Sequence, residues 1–178
     1  MAIVFVDTET TGLLEAEGNV IENQPYIIEI AAIKTDDDLN QIDCFMTYIK
    51  PPKPLPPVIT KITGITDNDL IAAPAFHEIY KELVNLFFGC HTLVAHNLMF
   101  DLGMLVNELG RLKKTYNFPY PPIHYCTVEH SMHIKGFRLK LGELYNLATG
   151  KEEIIGAHRA NEDTQALIDC YKFLQKEK

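Results

Sequence analysis

The chain has 178 residues, 47% of them apolar and 22% charged, which is enough for one buried core and too apolar for disorder. A net charge of −8 argues against a protein that coats duplex DNA through a basic surface. It leaves open an enzyme of strand ends, where metal ions supply positive charge locally.

The N-terminus shows no basic region followed by an apolar stretch, and no apolar run approaches the ~20 residues of a membrane span. Cys44, Cys90, Cys126 and Cys170 lie far apart with no C-x-x-C pair, which argues against a zinc site and against a disulfide scaffold. A reducing, cytoplasmic setting without membrane contact is the expectation.

The first element is "AIVFV", β-branched and continuous like a central buried strand. "YIIEIAAIK" (Tyr26 to Lys34) reads as a second strand, and "DDDLN" turns the chain into a third, "IDCFMTYIK", so an antiparallel meander is expected. The polar span from Leu14 to Gln24 is longer than a tight hairpin needs and reads as a surface loop, or as a border of a site. "PPKPLPPV" (Pro51 to Val58) reads as an extended surface connection rather than a helix.

From Asp67 the period changes. "TDNDL" offers caps for a short helix, and Pro74 suits the first turn of a longer one, "PAFHEIYKELVNLFFG". Phe76, Ile79, Tyr80, Leu83, Leu86 and Phe87 recur there at helical spacing, and Gly89 is a stop. "HTLVAH" follows as a short buried strand, "FDLGMLVNELGRL" as a helix and "PPIHYC" as a last strand. Helical pieces are expected at Val128 to His133 and Leu139 to Ala148, and a final helix from Ala160 to the end. The order implies an α/β domain over residues 1–178, a mixed sheet covered by helices.

The chemistry-bearing residues stand at the ends of these elements. Asp7 and Glu9 end the first strand, and residues i and i+2 of a strand share a face. Two anions side by side repel unless protonated or bridged by a cation, and hard ions such as Mg²⁺ or Mn²⁺ take oxygen ligands. Alternatively the strand simply ends in water. Asp101 lies just past the "HTLVAH" strand, and Asp163 falls in the first turn of the last helix, with His158 five residues earlier in a glycine-led loop. A first-turn aspartate also suits the helix dipole by itself.

D-T-E-T-T-G-L, then H-N-x-x-F-D, then H-x-x-x-x-D, in that order along the chain, resembles the DnaQ-like (DEDDh) 3′-to-5′ exonucleases. The resemblance also takes in "ITGIT" (Ile62 to Thr66) and is similar to the proofreading exonucleases of bacterial and phage DNA polymerases. It implies a ribonuclease H-like fold and a metal-dependent enzyme that releases nucleoside 5′-monophosphates from a 3′ end. It implies that Asp7, Glu9, Asp101 and Asp163 hold two divalent ions, Mg²⁺ or Mn²⁺, and that His158 is the general base. Such chemistry is reasonable for those residue types, since paired ions stabilise charge on a phosphoryl group and an imidazole titrates near neutrality.

For the terminal nucleotide the resemblance implies contacts from Thr10, Thr11, Gly12 and Leu13, and it places Asn97 and Phe100 near the same pocket with His96 as a lining residue; Ile65 is left as an apolar surface for a base. Phe100 reads equally as core. Thr63 stands where many relatives have histidine, which weakens a sugar or phosphate contact there. Lys135, Arg138 and Lys140, with His133 nearby, read either as a seat for single-strand phosphates or as a solvated helix face. DNA is the expected substrate, with RNA trimming as the runner-up. The other class is a polymerase-associated binding subunit, and a DNA polymerase is the protein partner the resemblance raises. A full set of four acids and a histidine favours an enzyme.

Overall fold

The computed structural model describes residues 1–16 and 20–176. The middle of the Leu14-to-Gln24 span and the last two residues of the expected final helix lie outside the described residues. Five strands, β1 (Ala2–Thr10), β2 (Ile27–Thr35), β3 (Gln41–Tyr48), β4 (Cys90–Ala95) and β5 (Ile123–Cys126), form one sheet in the order β3-β2-β1-β4-β5. The first three make the expected antiparallel meander, and β4 and β5 add in parallel on the other side of β1. The helices are α1 (Pro57–Thr63), α2 (Asp67–Leu70), α3 (Phe76–Phe87), α4 (Leu98–Arg111), α5 (Thr127–Lys135), α6 (Leu141–Thr149) and α7 (Ala160–Lys176). This mixed sheet with flanking helices is the ribonuclease H-like α/β architecture.

Alternation along β1 divides the core between the two faces of the sheet. Val4 and Val6 pack with Leu83 and Phe87 of α3 and Met104 of α4. Ile3 and Phe5 pack on the opposite side with Leu144 of α6 and Leu167 and Cys170 of α7. Burial of such side chains stabilises by about 1.5–3 kcal/mol each, so both helical layers are firmly fixed to β1. Asp7 and Glu9 continue the Ile3–Phe5 series and therefore emerge on the α7 face.

Two readings of the sequence are corrected. The proline-rich segment is extended only to Pro56, because Pro57 opens α1 at its first position, where a missing N–H costs nothing. Gly64 closes that helix with φ 74°, its N–H bonded to the Thr60 carbonyl. Pro74 lies outside α3, which begins at Phe76, and its carbonyl accepts from the Lys50 N–H instead. The described part of the β1–β2 connection is the expected surface loop, with most of its residues exposed, and it is anchored on α4. A Cβ on Gly103 would stand 2.7 Å from Leu14 Cδ1, and one on Gly110 would stand 2.6 Å from Ile21 Cδ1, so both glycines make room for it. Arg111 fastens the same segment by donating through Nη2 to the carbonyls of Ile21, Gln24 and Pro25.

Candidate active site

The C-terminal ends of the parallel neighbours β1 and β4 open onto a cleft of about 1050 Å³. Asp7 and Glu9 reach it from β1, Asp101 from the first turn of α4, and His158 and Asp163 from the loop before α7 and its first turn. The five acidic and imidazole side chains, scattered over 157 residues of sequence, thus line one cavity.

Local structure explains how each is aimed. Thr8 points to the opposite face of β1 from its acidic neighbours, and its hydroxyl donates to Asp101 Oδ1 at 2.8 Å. Between β4 and α4 the backbone turns at Asn97, whose φ of 69° is left-handed, a conformation that asparagine tolerates. The Asn97 carbonyl then accepts from the Phe100 N–H at 2.8 Å, which starts the helix carrying Asp101. The loop before α7 turns through Gly156 and His158, both left-handed, and the His158 N–H donates to Asp163 Oδ2 at 3.0 Å. Glu9, His158 and Asp163 each place one ligand atom within 4.8 Å of the others.

The electrostatics are those of crowded anions. Burial, and then the neighbouring Asp101, Asp163 and Glu9 carboxylates, raise Asp7 well above the ordinary aspartate value. Burial, followed by Asp163, Glu29 and Asp101, pushes Glu9 from 4.5 up to about 8, against a small opposing pull from Arg159. Burial lifts Asp101 to about 7 although the Thr8 hydroxyl favours its charge, and burial also raises Asp163. Among the described residues no lysine or arginine forms an ion pair with any of these four acids. A partly buried cluster of carboxylates without cationic partners is the donor set that hard divalent ions fit.

The other expected contact residues divide. Phe100 and His96 line the cleft, but His96 is held at both ring nitrogens, by Thr127 Oγ1 at 2.9 Å and the Leu139 carbonyl at 3.1 Å. Burial lowers its pKa to about 4, so it is a neutral wall at working pH. Asn97 is not among the lining residues; its Oδ1 accepts from Arg138 Nη2 at 2.9 Å. Thr10, Thr11, Gly12 and Leu13 also lie outside the lining, with the Thr10 hydroxyl bonded to the Gly12 carbonyl and the Leu13 side chain 80% exposed. Ile65 is 1% exposed and packs with Ile28, Leu55, Ile59 and Leu70, so its side chain offers no surface to a base. Of the basic residues, Lys135 and Lys140 line the cleft beside Phe137, while Arg138 is engaged with Asn97.

Glu29 was missed in the sequence. It sits on β2 directly opposite Glu9 and pairs with Arg159. Mid-strand position concealed it, since only the register across two strands brings it to the site.

Fold and site together define an exonuclease, a nuclease hydrolase on a ribonuclease H-like scaffold. The chain belongs to the RNase_T exonuclease family, whose model matches residues 4–171. It is 34% identical to the DNA polymerase III subunit epsilon of Treponema pallidum over 176 residues, 96% of this chain and 75% of that protein. It also resembles PolC-type DNA polymerase III proteins, but spans only 6%, 12% and 11% of the length of three of them. In three dimensions it is similar to E. coli exonuclease I in complex with a dT13 oligonucleotide, with a TM-score of 0.74 at 22% identity, covering 98% of this chain and 41% of that one. It is comparably similar to a 3′-exonuclease solved for recognition of a histone mRNA stem-loop, with a TM-score of 0.73 at 20% identity, covering 98% and 64% of the two chains. No helix among the described residues is long and apolar enough to cross a membrane.

Proposed function

We propose that this chain is one 3′-to-5′ exonuclease domain that removes nucleoside 5′-monophosphates from single-stranded or frayed DNA ends, with His158 as general base. The convergence of Asp7, Glu9, Asp101, Asp163 and His158 on one cleft carries the reading. The four carboxylates would hold two divalent ions, Mg²⁺ or Mn²⁺, and their oxygen-only donor set with unrelieved mutual repulsion fits that load. When bound, such ions stabilise negative charge on the phosphoryl oxygens and on the leaving oxygen.

The chain's own residues supply the rest. The His158 imidazole takes a proton from a water poised at the terminal phosphodiester. The water oxygen bonds to phosphorus, the bond from phosphorus to the 3′-oxygen of the preceding nucleotide breaks, and that oxygen takes a proton from solvent water to become a new 3′-hydroxyl, while the His158 imidazolium returns its proton to solvent. Asp163 accepts the His158 N–H and so orients the loop that bears the base. Phe100, Leu139 and Ile154 give the cleft an apolar stretch of wall beside the carboxylates.

DNA is favoured over RNA by the similarity to the epsilon subunit, and a DNA polymerase is the partner that similarity suggests. Four free cysteines suit the reducing cytoplasm. Degradation of 5′-labelled single-stranded DNA, duplex DNA and RNA, with Mg²⁺ or Mn²⁺ and then with chelator, tests all of this. Activity that survives chelation, or is unchanged in Asp7→Ala, contradicts the metal-dependent reading. His158→Ala is expected to keep metal and DNA binding while kcat falls by about 10²- to 10⁴-fold. Loss of metal binding in that variant would make His158 a ligand rather than the base.

A further inference from the structure

Glu29 is a buried carboxylate that the reaction above leaves unused. It is 8% exposed and stands directly opposite Glu9 in the antiparallel β1–β2 pair. Opposed residues of such a pair project to the same face, so Glu29 faces the start of α7. Its oxygens are turned to partners there. Arg159 donates to Oε1 from Nη2 at 3.0 Å and to both oxygens from Nε at 3.3 Å, and the Ala160 N–H donates to Oε2 at 3.2 Å. The Arg159 guanidinium also lies 5.3 Å from the ring centroid of Tyr48 on β3.

These contacts fall on the two residues that follow His158. The sheet therefore grips the chain immediately after the base, while the His158 N–H is bonded to Asp163 on the near side. Between the two grips His158 holds a left-handed φ of 68°, a conformation that side-chain-bearing residues keep only where their surroundings enforce it.

We infer that Glu29 and Arg159 are a positioning pair: together they fix the backbone at residues 159–160, aim the His158 imidazole at the carboxylate cluster, and start α7 at the turn that carries Asp163. Neither touches the reacting atoms in this scheme; both act through His158 and Asp163. The inference rests on the proposed role of His158. A simple stabilising ion pair would affect melting alone and leave turnover unchanged below the transition.

The test uses the full chain, 5′-labelled single-stranded DNA and Mg²⁺, well below the melting temperature of each variant. Glu29→Ala and Arg159→Ala are each expected to lower kcat about 10- to 100-fold, the usual cost of losing an orienting partner. KM should stay within about threefold, since no substrate contact is removed. The double variant should be no slower than the worse single one, because both break the same grip. Glu29→Gln keeps an acceptor for the Ala160 N–H and should recover most of the loss seen in Glu29→Ala. Hydrogen exchange of the His158 and Ala160 amides should accelerate in both alanine variants, a readout that needs no activity. Unchanged kcat, additive losses, a loss wholly in KM, or unchanged exchange at His158 would each overturn the pairing. If the unaltered protein degrades none of the substrates, the proposed function fails, and the exchange measurement still decides the pair.

Discussion

The Thr8 hydroxyl donates to Asp101 Oδ1 at 2.8 Å, tying the end of β1 to the first turn of α4 across 93 residues of chain. Asp101 is 5% exposed, and this bond is the main influence favouring its charged form against burial. Thr8→Val keeps the shape and removes the donor. The expected result is a Mn²⁺ affinity about 10-fold weaker by calorimetry, with the fold intact. An unchanged affinity would show that Asp101 needs no such support.

Neutralising Asp101 should separate stability from activity. Asp101→Asn retains an acceptor for Thr8 but removes a buried charge that no cationic residue balances among those described. At pH 8 without metal, the variant is expected to melt about 2–4 °C higher than the unaltered protein. Its exonuclease activity should be lost. A lower melting temperature would mean that the carboxylate stabilises the metal-free fold.

Acidity of the cluster sets a pH dependence whose sign is fixed. Glu9 titrates at about 8 in the metal-free fold against an ordinary 4.5, so the folded state binds its proton more tightly than the unfolded state. Its contribution to stability is complete below pH 4.5 and is lost as pH rises through 8. Metal-free protein should therefore lose melting temperature between pH 5 and pH 8, while metal binding should strengthen over pH 6 to 8 and release protons. Calorimetry in buffers of different ionisation enthalpy counts those protons; zero release at pH 6.5 would exclude the raised values.

Ile65 is a core residue, and its substitution should behave as one. Ile65→Ala is expected to cost about 2–5 kcal/mol in denaturant unfolding, with KM for single-stranded DNA unchanged. A raised KM with unaltered stability would restore it as a base contact.

Lys140 lines the cleft and is exposed, and its backbone N–H donates to Glu143 Oε2 at the start of α6. Lys140→Ala should raise KM severalfold at low salt and flatten the dependence of KM on salt by about one charge, with kcat little changed. An identical salt slope in the variant would make Lys140 a solvated surface residue.

Much of the site was legible because its residues sit where local signals are strong. The two-residue period of β1 put Asp7 and Glu9 on one face, and the first-turn positions of Asp101 and Asp163 followed from helix boundaries read within a few residues. Pro57 and Pro74 were misassigned because proline chemistry permits both the first helical position and the residue just outside it. Ile65 looked available because an apolar residue in a turn-rich stretch carries no sign of its burial against β2.

The sequence by itself determined most of the elements, α1 excepted, and which carboxylates end them, since side-chain direction along a strand or helix is a property of a few consecutive residues. Only the tertiary structure decided that Glu29 opposes Glu9, that Arg159 turns back to it, and that His158 is held between that pair and Asp163. Those facts depend on strand register and on where α7 docks against β2. Both are set by packing between segments 130 residues apart, which no local pattern encodes.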